Sequence, residues 1–154
     1  MTTVADYVVY RLGGEPVRLR ETTTGVQDDG WMASEASYTR YDVKGLPRGY
    51  VKVSVSRIAA CFPQLQRKPA KAVVTVGRVG VNEFDQPGIA DVTGRRETTV
   101  KACEPNPVVL PVPAEPWRVE VTVDPTFVPH ELDPSLGDRR QLGAKVTFEF
   151  LERR

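Results

Sequence analysis

The chain has 154 residues, a formal charge of +1 and 27% charged residues, enough for one domain, residues 1–154, with a real hydrophobic core. The near-zero charge excludes a partner held by the protein's overall field, nucleic acid and anionic lipid included. No window reaches the ~18 apolar residues of a spanning helix, and two cysteines with one histidine cannot furnish a four-cysteine or multi-histidine zinc site.

Taken in order, the chain reads as short strands punctuated by glycine and proline. Tyr7–Arg11 and Pro16–Arg20 flank Gly13-Gly14 and predict a hairpin, because such a turn needs the positive φ that glycine adopts freely. The residues before it lack the basic and apolar regions of a secretory signal. Two origins stay open: a cytoplasmic protein, or a piece of a longer envelope protein. Residues 22–30 are polar and read as a loop. Ser37–Tyr41 predicts a short strand, and after the turn at Gly45–Gly49 the valines at 51, 53 and 55 alternate with Lys52, Ser54 and Ser56. Side chains on a strand alternate between faces, so this pattern gives one buried face and one wet face.

Residues 59–69 form a connection with room for one helical turn. Val73–Val81 is a strand in which Gly77 or Gly80 marks a bulge. Residues 82–94 read as a long irregular excursion, followed by a strand at Glu97–Cys103 and a proline-bounded one at Val108–Leu110 that belongs at an edge. Arg118–Val123 and Ala144–Phe150 alternate most regularly. Eight or nine short strands with no convincing helical periodicity predict an all-β fold. The expected form is a two-sheet antiparallel β-sandwich of jelly-roll type, with an immunoglobulin-like sandwich as the runner-up. One-sided alternation argues against a parallel α/β core.

Catalytic chemistry is hard to find. His130 stands beside Glu131 and Asp133, but one imidazole without a nucleophile motif reads better as an exposed turn residue. Asp124, Asp133 and Asp138 match no EF-hand spacing, and loop aspartates commonly hold turns. A structural calcium is the weaker reading there, and no cofactor is expected. Glu83, Asp85 and Asp91 are the carboxylates open to a hydrolase reading, with no motif behind them. The paired arginines at 95–96, 139–140 and 153–154 have acidic neighbours and read as solvated surface.

Binding is better furnished. Tyr38 and Arg40 share one strand face, Thr39 and Tyr41 the other, and Trp31 precedes them. Aromatic rings pack on sugar C–H faces while a guanidinium fixes hydroxyl orientation, so Trp31, Tyr38, Arg40 and Tyr41 are the glycan-binding candidates. The competing reading has Trp31 and a tyrosine plugging one end of the sandwich, and Trp117 reads as core. Cys61 and Cys103 both lie at strand ends. Spacing alone leaves two buried thiols or one disulfide open; the disulfide is the expectation. Arg140 is expected to fork onto loop carbonyls and pin the turn before the last strand. Gly143 is expected to permit a close backbone approach.

Several of these segments carry a resemblance. Asp29-Gly30-Trp31-Met32, Tyr38-Thr39-Arg40-Tyr41, Val51 to Arg57 leading to Cys61, and Val100 to Cys103 are part of it. Pro116-Trp117-Arg118 through Thr126-Phe127-Val128-Pro129 to Arg140-Gln141-Leu142-Gly143 is its most distinctive part. Over residues 28–151 the chain resembles the soluble β-sandwich region that follows the membrane spans in bacterial cell-envelope proteins of the membrane glycosyltransferase type. The resemblance implies a place outside the cytoplasmic membrane, a carbohydrate-module-like fold and an oxidised cysteine pair. The expected function is then a non-catalytic accessory domain that binds or positions cell-wall glycan, with glycan or a membrane protein as partner. The alternatives are a structural or protein-interaction sandwich and a free-standing hydrolase using loop carboxylates.

Overall fold

A computed structural model describes residues 2–4, 7–9, 11–12, 15–16, 20–41 and 48–152; statements on side chains concern the last two segments. Four short strands come first: β1 (Thr2–Val4) pairs with β2 (Tyr7–Val9), and β3 (Arg11–Leu12) with β4 (Glu15–Pro16). The β3–β4 register sets Leu12 opposite Glu15. The turn expected at Gly13-Gly14, most of the turn expected at 45–49, and Arg153 and Arg154 lie outside the described residues.

The remaining strands are β5 (Glu21–Val26), β6 (Trp31–Arg40), β7 (Gly49–Ser56), β8 (Ala70–Val81), β9 (Pro87–Val100), β10 (Pro107–Val112), β11 (Trp117–Asp124) and β12 (Ala144–Glu152). They form one antiparallel sheet in the order β10-β7-β12-β6-β11-β8-β9, with β5 on the other edge of β6. The fold is all-β and sandwich-like, as expected, but the two layers are continuous. The reason lies in β6. Ala144 and Lys145 of β12 pair with Met32 and Trp31, whereas β11 pairs with residues from Glu35 to Arg40. Because β5 takes the opposite edge at both places, β12 and β11 follow each other along one edge of β6. The sheet parts between them at Ala33 and Ser34, and β6 belongs to both layers. Such strand sharing turns a sandwich into a nearly closed barrel.

The core lies between the layers. Val51, Val53 and Val55, then Val74 and Val76, then Trp117, Val119, Val121 and Val123 are all buried, the alternation read from sequence. Each such side chain contributes about 1.5–3 kcal/mol by leaving water. On one side the layers meet: the Leu110 side chain of β10 lies 3.6 Å from where a Cβ on Gly94 of β9 would stand. Thr98 donates to Asn106 there at 3.0 Å.

Several elements differ from expectation: Tyr7–Val9 pairs with β1 and not with residues 16–20, and the short strand expected at Ser37–Tyr41 begins six residues earlier, at Trp31. The polar stretch 22–30 contributes a strand, β5, because threonine suits a half-wet edge. The excursion at 82–94 is the end of a long β8–β9 hairpin, bulged beside Gly77 and again between Arg78 and Val79. The tip, Asn82–Gln86, is shaped by the Asn82 side chain, which accepts from the amides of Phe84 and Gln86. The connection at 59–69 holds helix α1 (Pro63–Arg67), as room for one turn suggested, and a second turn, α2 (Pro129–Leu132), follows a cis Asp124–Pro125 peptide.

Candidate functional site

A groove of about 660 Å³ opens where the barrel does not close, between β5 and β6 on one wall and β12 on the other. Beyond Lys145 the outer edge of β12 pairs with no described strand, and neither does the outer edge of β5. Alternation on β6 turns Tyr38 and Arg40 into this space, while alternation on β12 turns in Val146, Phe148 and Phe150. The Tyr38 ring stacks on Phe148 at 5.4 Å between centroids and leans on Trp117 at 5.5 Å. The Arg40 guanidinium sits 4.5 Å above the Phe150 ring, a cation–π contact that holds it over an apolar floor. Glu21, Thr23 and Glu152 supply the polar rim.

The Tyr38 hydroxyl donates to Glu21. Burial, reinforced by that carboxylate, pushes the Tyr38 phenol from 10 up to about 12. The neutral phenol is therefore favoured by folding: its contribution is complete below pH 10 and is lost as pH rises from 10 to about 12. Alkaline unfolding of Tyr38→Phe should accordingly lack the steep loss of stability seen for the parent in that window. An ultraviolet titration in which Tyr38 ionises with the exposed tyrosines would contradict this.

Of the four glycan candidates, the structure brings Tyr38 and Arg40 together in the groove. Trp31 lies elsewhere. Only 8% exposed, it packs edge-on against Phe127 at 5.7 Å and beneath Lys145, in a second cluster with Ala60, Leu65, Ala102 and Leu142 that seals one end of the barrel. Tyr41 follows the end of β6 and is half-buried, its amide donating to the Arg20 carbonyl.

The disulfide Cys61–Cys103 is present, with 4.9 Å between Cα atoms. It ties the α1 connection to the end of β9 beside the second cluster. The two halves of the distinctive motif meet in the same region: Phe127 and Leu142 exchange backbone hydrogen bonds of 2.7 and 2.8 Å. Gln141 donates to the Thr126 hydroxyl.

The role expected of Arg140 belongs to a different arginine. Arg140 is 41% exposed and binds side chains, not backbone carbonyls: Asp138 through two nitrogens, Asp29 at 2.8 Å, and Gln27. Its guanidinium holds the Asp138 carboxyl down at about 2 and lowers that of Asp29. Exposed pairs of this kind are screened and weak, so the notion of a buried Arg140 network is corrected. Arg57, 0% exposed, donates from Nε to the Gly143 carbonyl at 2.8 Å and from Nη2 to the Pro125 carbonyl at 2.6 Å. Its guanidinium lies 5.0 Å from the Phe127 ring. Burial lowers its pKa, and no described carboxylate pairs with it. A charged residue ending an apolar strand was the available signal in the sequence.

Gly143 is placed as expected. A Cβ there would lie 2.0 Å from the Ala33 carbonyl oxygen, where β12 enters against β6. Gly143→Ala should cost about 1–3 kcal/mol through forced backbone displacement, read as a lowered thermal midpoint. An unchanged midpoint would rule out the close approach.

The other candidates are occupied or scattered. The His130 ring meets the Leu136 carbonyl at 2.7 Å, and Asp133 accepts from Ser135. Asp91 pairs with Arg78 on the hairpin that carries Glu83 and Asp85 at its tip. Among the described residues no group of three or more histidine, cysteine or acidic side chains gathers around a metal-sized space, and no helix is long and apolar enough to cross a membrane. Set against family models, curated proteins and solved structures, the chain matches none.

Proposed function

We propose that this protein is a non-catalytic binding domain whose groove between β5, β6 and β12 holds a segment of cell-wall glycan outside the cytoplasmic membrane. Its place is beside a protein of the membrane glycosyltransferase type. The observation that carries the reading is the furnishing of the groove. Half-buried rings of Phe148 and Phe150 offer apolar contact, and Arg40, Glu21 and Glu152 offer charged hydrogen-bond partners. Apolar floors with a few polar groups are how open sites orient sugars. The disulfide supports an oxidising compartment, and the resemblance over residues 28–151 points the same way.

Titration with defined cell-wall oligosaccharides, followed by nuclear magnetic resonance, tests the proposal. Ligand should shift the ring signals of Phe148 and Phe150, and Arg40→Ala should weaken binding about tenfold, the loss of one charged contact. No shift with any oligosaccharide, at concentrations where weak lectins saturate, would defeat it. A second reading is favoured by the two unpaired strand edges that flank the groove, since unfilled backbone donors and acceptors are satisfied best by an added polypeptide strand. Under that reading an extended peptide with apolar residues at alternate positions shifts the same rings and the oligosaccharides do not.

A further inference from the structure

We infer that the Cys61–Cys103 disulfide is a redox latch: its reduction frees the connection carrying α1 and uncovers the Trp31–Phe127 end of the barrel while the main core stays folded. This stands apart from the groove.

Four features of the latch lead to it. Between Ile58 and Pro69 only Ala60 and Leu65 are buried, so besides the covalent link the connection is held by these two side chains, the Phe62–Phe127 ring contact and one hydrogen bond from Gln64 to the Leu132 carbonyl. Cys103 has φ +64°, a left-handed conformation that a side chain disfavours and that the cross-link sustains. The backbones of both cysteine loops hang on one acceptor, the Arg57 carbonyl, which receives the amides of Ala60 at 2.9 Å and Cys103 at 3.0 Å. Cys61 is exposed whereas Cys103 is half-buried, so an incoming thiolate reaches the Cys61 sulfur first.

The chemistry balances with a dithiol as reductant. One thiolate attacks the Cys61 sulfur and forms a mixed disulfide, and Cys103 leaves as a thiolate that takes a proton. The second thiol of the reductant then displaces Cys61, which also takes a proton. The protein gains two electrons and two protons, and the dithiol departs as its disulfide. Cys103 then relaxes from positive φ, its hydrogen bond to Arg57 opens, and Ala60, Phe62 and Leu65 lift away from Trp31 and Phe127.

Hydrogen exchange of the whole protein, with and without dithiothreitol, tests the latch, thiol titration confirming reduction. The amides of Ala60, Leu65, Gln66 and Lys68, protected by bonds to Arg57, Phe62 and Gln64, should exchange at least tenfold faster after reduction. Those of Val53, Val119 and Val121, which open only with the whole barrel, should speed up by no more than the fall in global stability read from urea unfolding of the reduced protein. Fluorescence gives a second view: with Trp117→Phe, emission from Trp31 should shift to the red on reduction, whereas with Trp31→Phe emission from Trp117 should hold. Full reduction without faster exchange in the connection overturns the inference, and so does a reduced protein in which the connection exchanges no faster than Val53, Val119 and Val121. The pair Cys61→Ser with Cys103→Gly should stay nearer the oxidised exchange pattern than Cys61→Ser with Cys103→Ser, because glycine adopts φ +64° freely. Equal patterns would remove the Cys103 backbone from the latch.

Discussion

Replacing Arg57 with alanine is expected to destabilise the protein by about 3–5 kcal/mol, the loss of two hydrogen bonds from a charged donor at about 1.5–3 kcal/mol each. The buried Gly143 carbonyl and the part-buried Pro125 carbonyl would lose a donor, and an acceptor left unsatisfied in the interior costs about 1–3 kcal/mol. The guanidinium also covers the Phe127 ring, so its removal leaves a void beside the second cluster. Lysine should rescue little, since a single ammonium cannot fork between two carbonyls from different loops. Methionine should be milder than alanine: it fills the volume and brings no charge into a place without a carboxylate partner. Urea unfolding of the three variants checks the order. A loss below about 1 kcal/mol for alanine, the scale of an exposed pair, would show that the two loops hold without Arg57.

Removing the disulfide by changing Cys61 and Cys103 to serine is expected to cost about 4 kcal/mol, the chain-entropy value for a loop of this size. The 42-residue separation places within the loop β8, β9 and α1, a large part of one layer. Most of that loss arises in the unfolded chain, which becomes free to expand, and not in the folded barrel. The slope of the urea transition should therefore rise as the midpoint falls. A midpoint unchanged from the parent would mean that the unfolded chain keeps these two loops together without the bond.

The strands that could be read from sequence are those whose alternation survives into the core. Val51 to Val55 and Trp117 to Val123 are buried on one face because every second residue is apolar, and period two needs no tertiary information. β5 escaped notice because Glu21-Thr22-Thr23-Thr24 pairs on one edge only and buries almost nothing; its strand state comes from β6, not from its own pattern. In the candidate groove, Tyr38 and Arg40 were found through their spacing on one strand face. Phe148 and Phe150 entered the sequence reading only as alternating apolar residues, because their role depends on which strand faces β12. Arg140 and Arg57 show the same boundary. The chemistry of an arginine forked onto carbonyls was sound, but sequence cannot tell which arginine ends up dry.

The sharing of β6 has a consequence for how the protein is made. β12, the latest strand in chain order, is an inner strand, lying between β7 and β6. Until Ala144–Glu152 leaves the ribosome, those neighbours present raw edges to the cytosol or to whatever chaperone receives them, and the Tyr38 ring lacks the Phe148 face on which it stacks. Assembly must therefore wait for the end of translation of this segment, and a nascent chain arrested shortly before it is the species most prone to pair with its own copies.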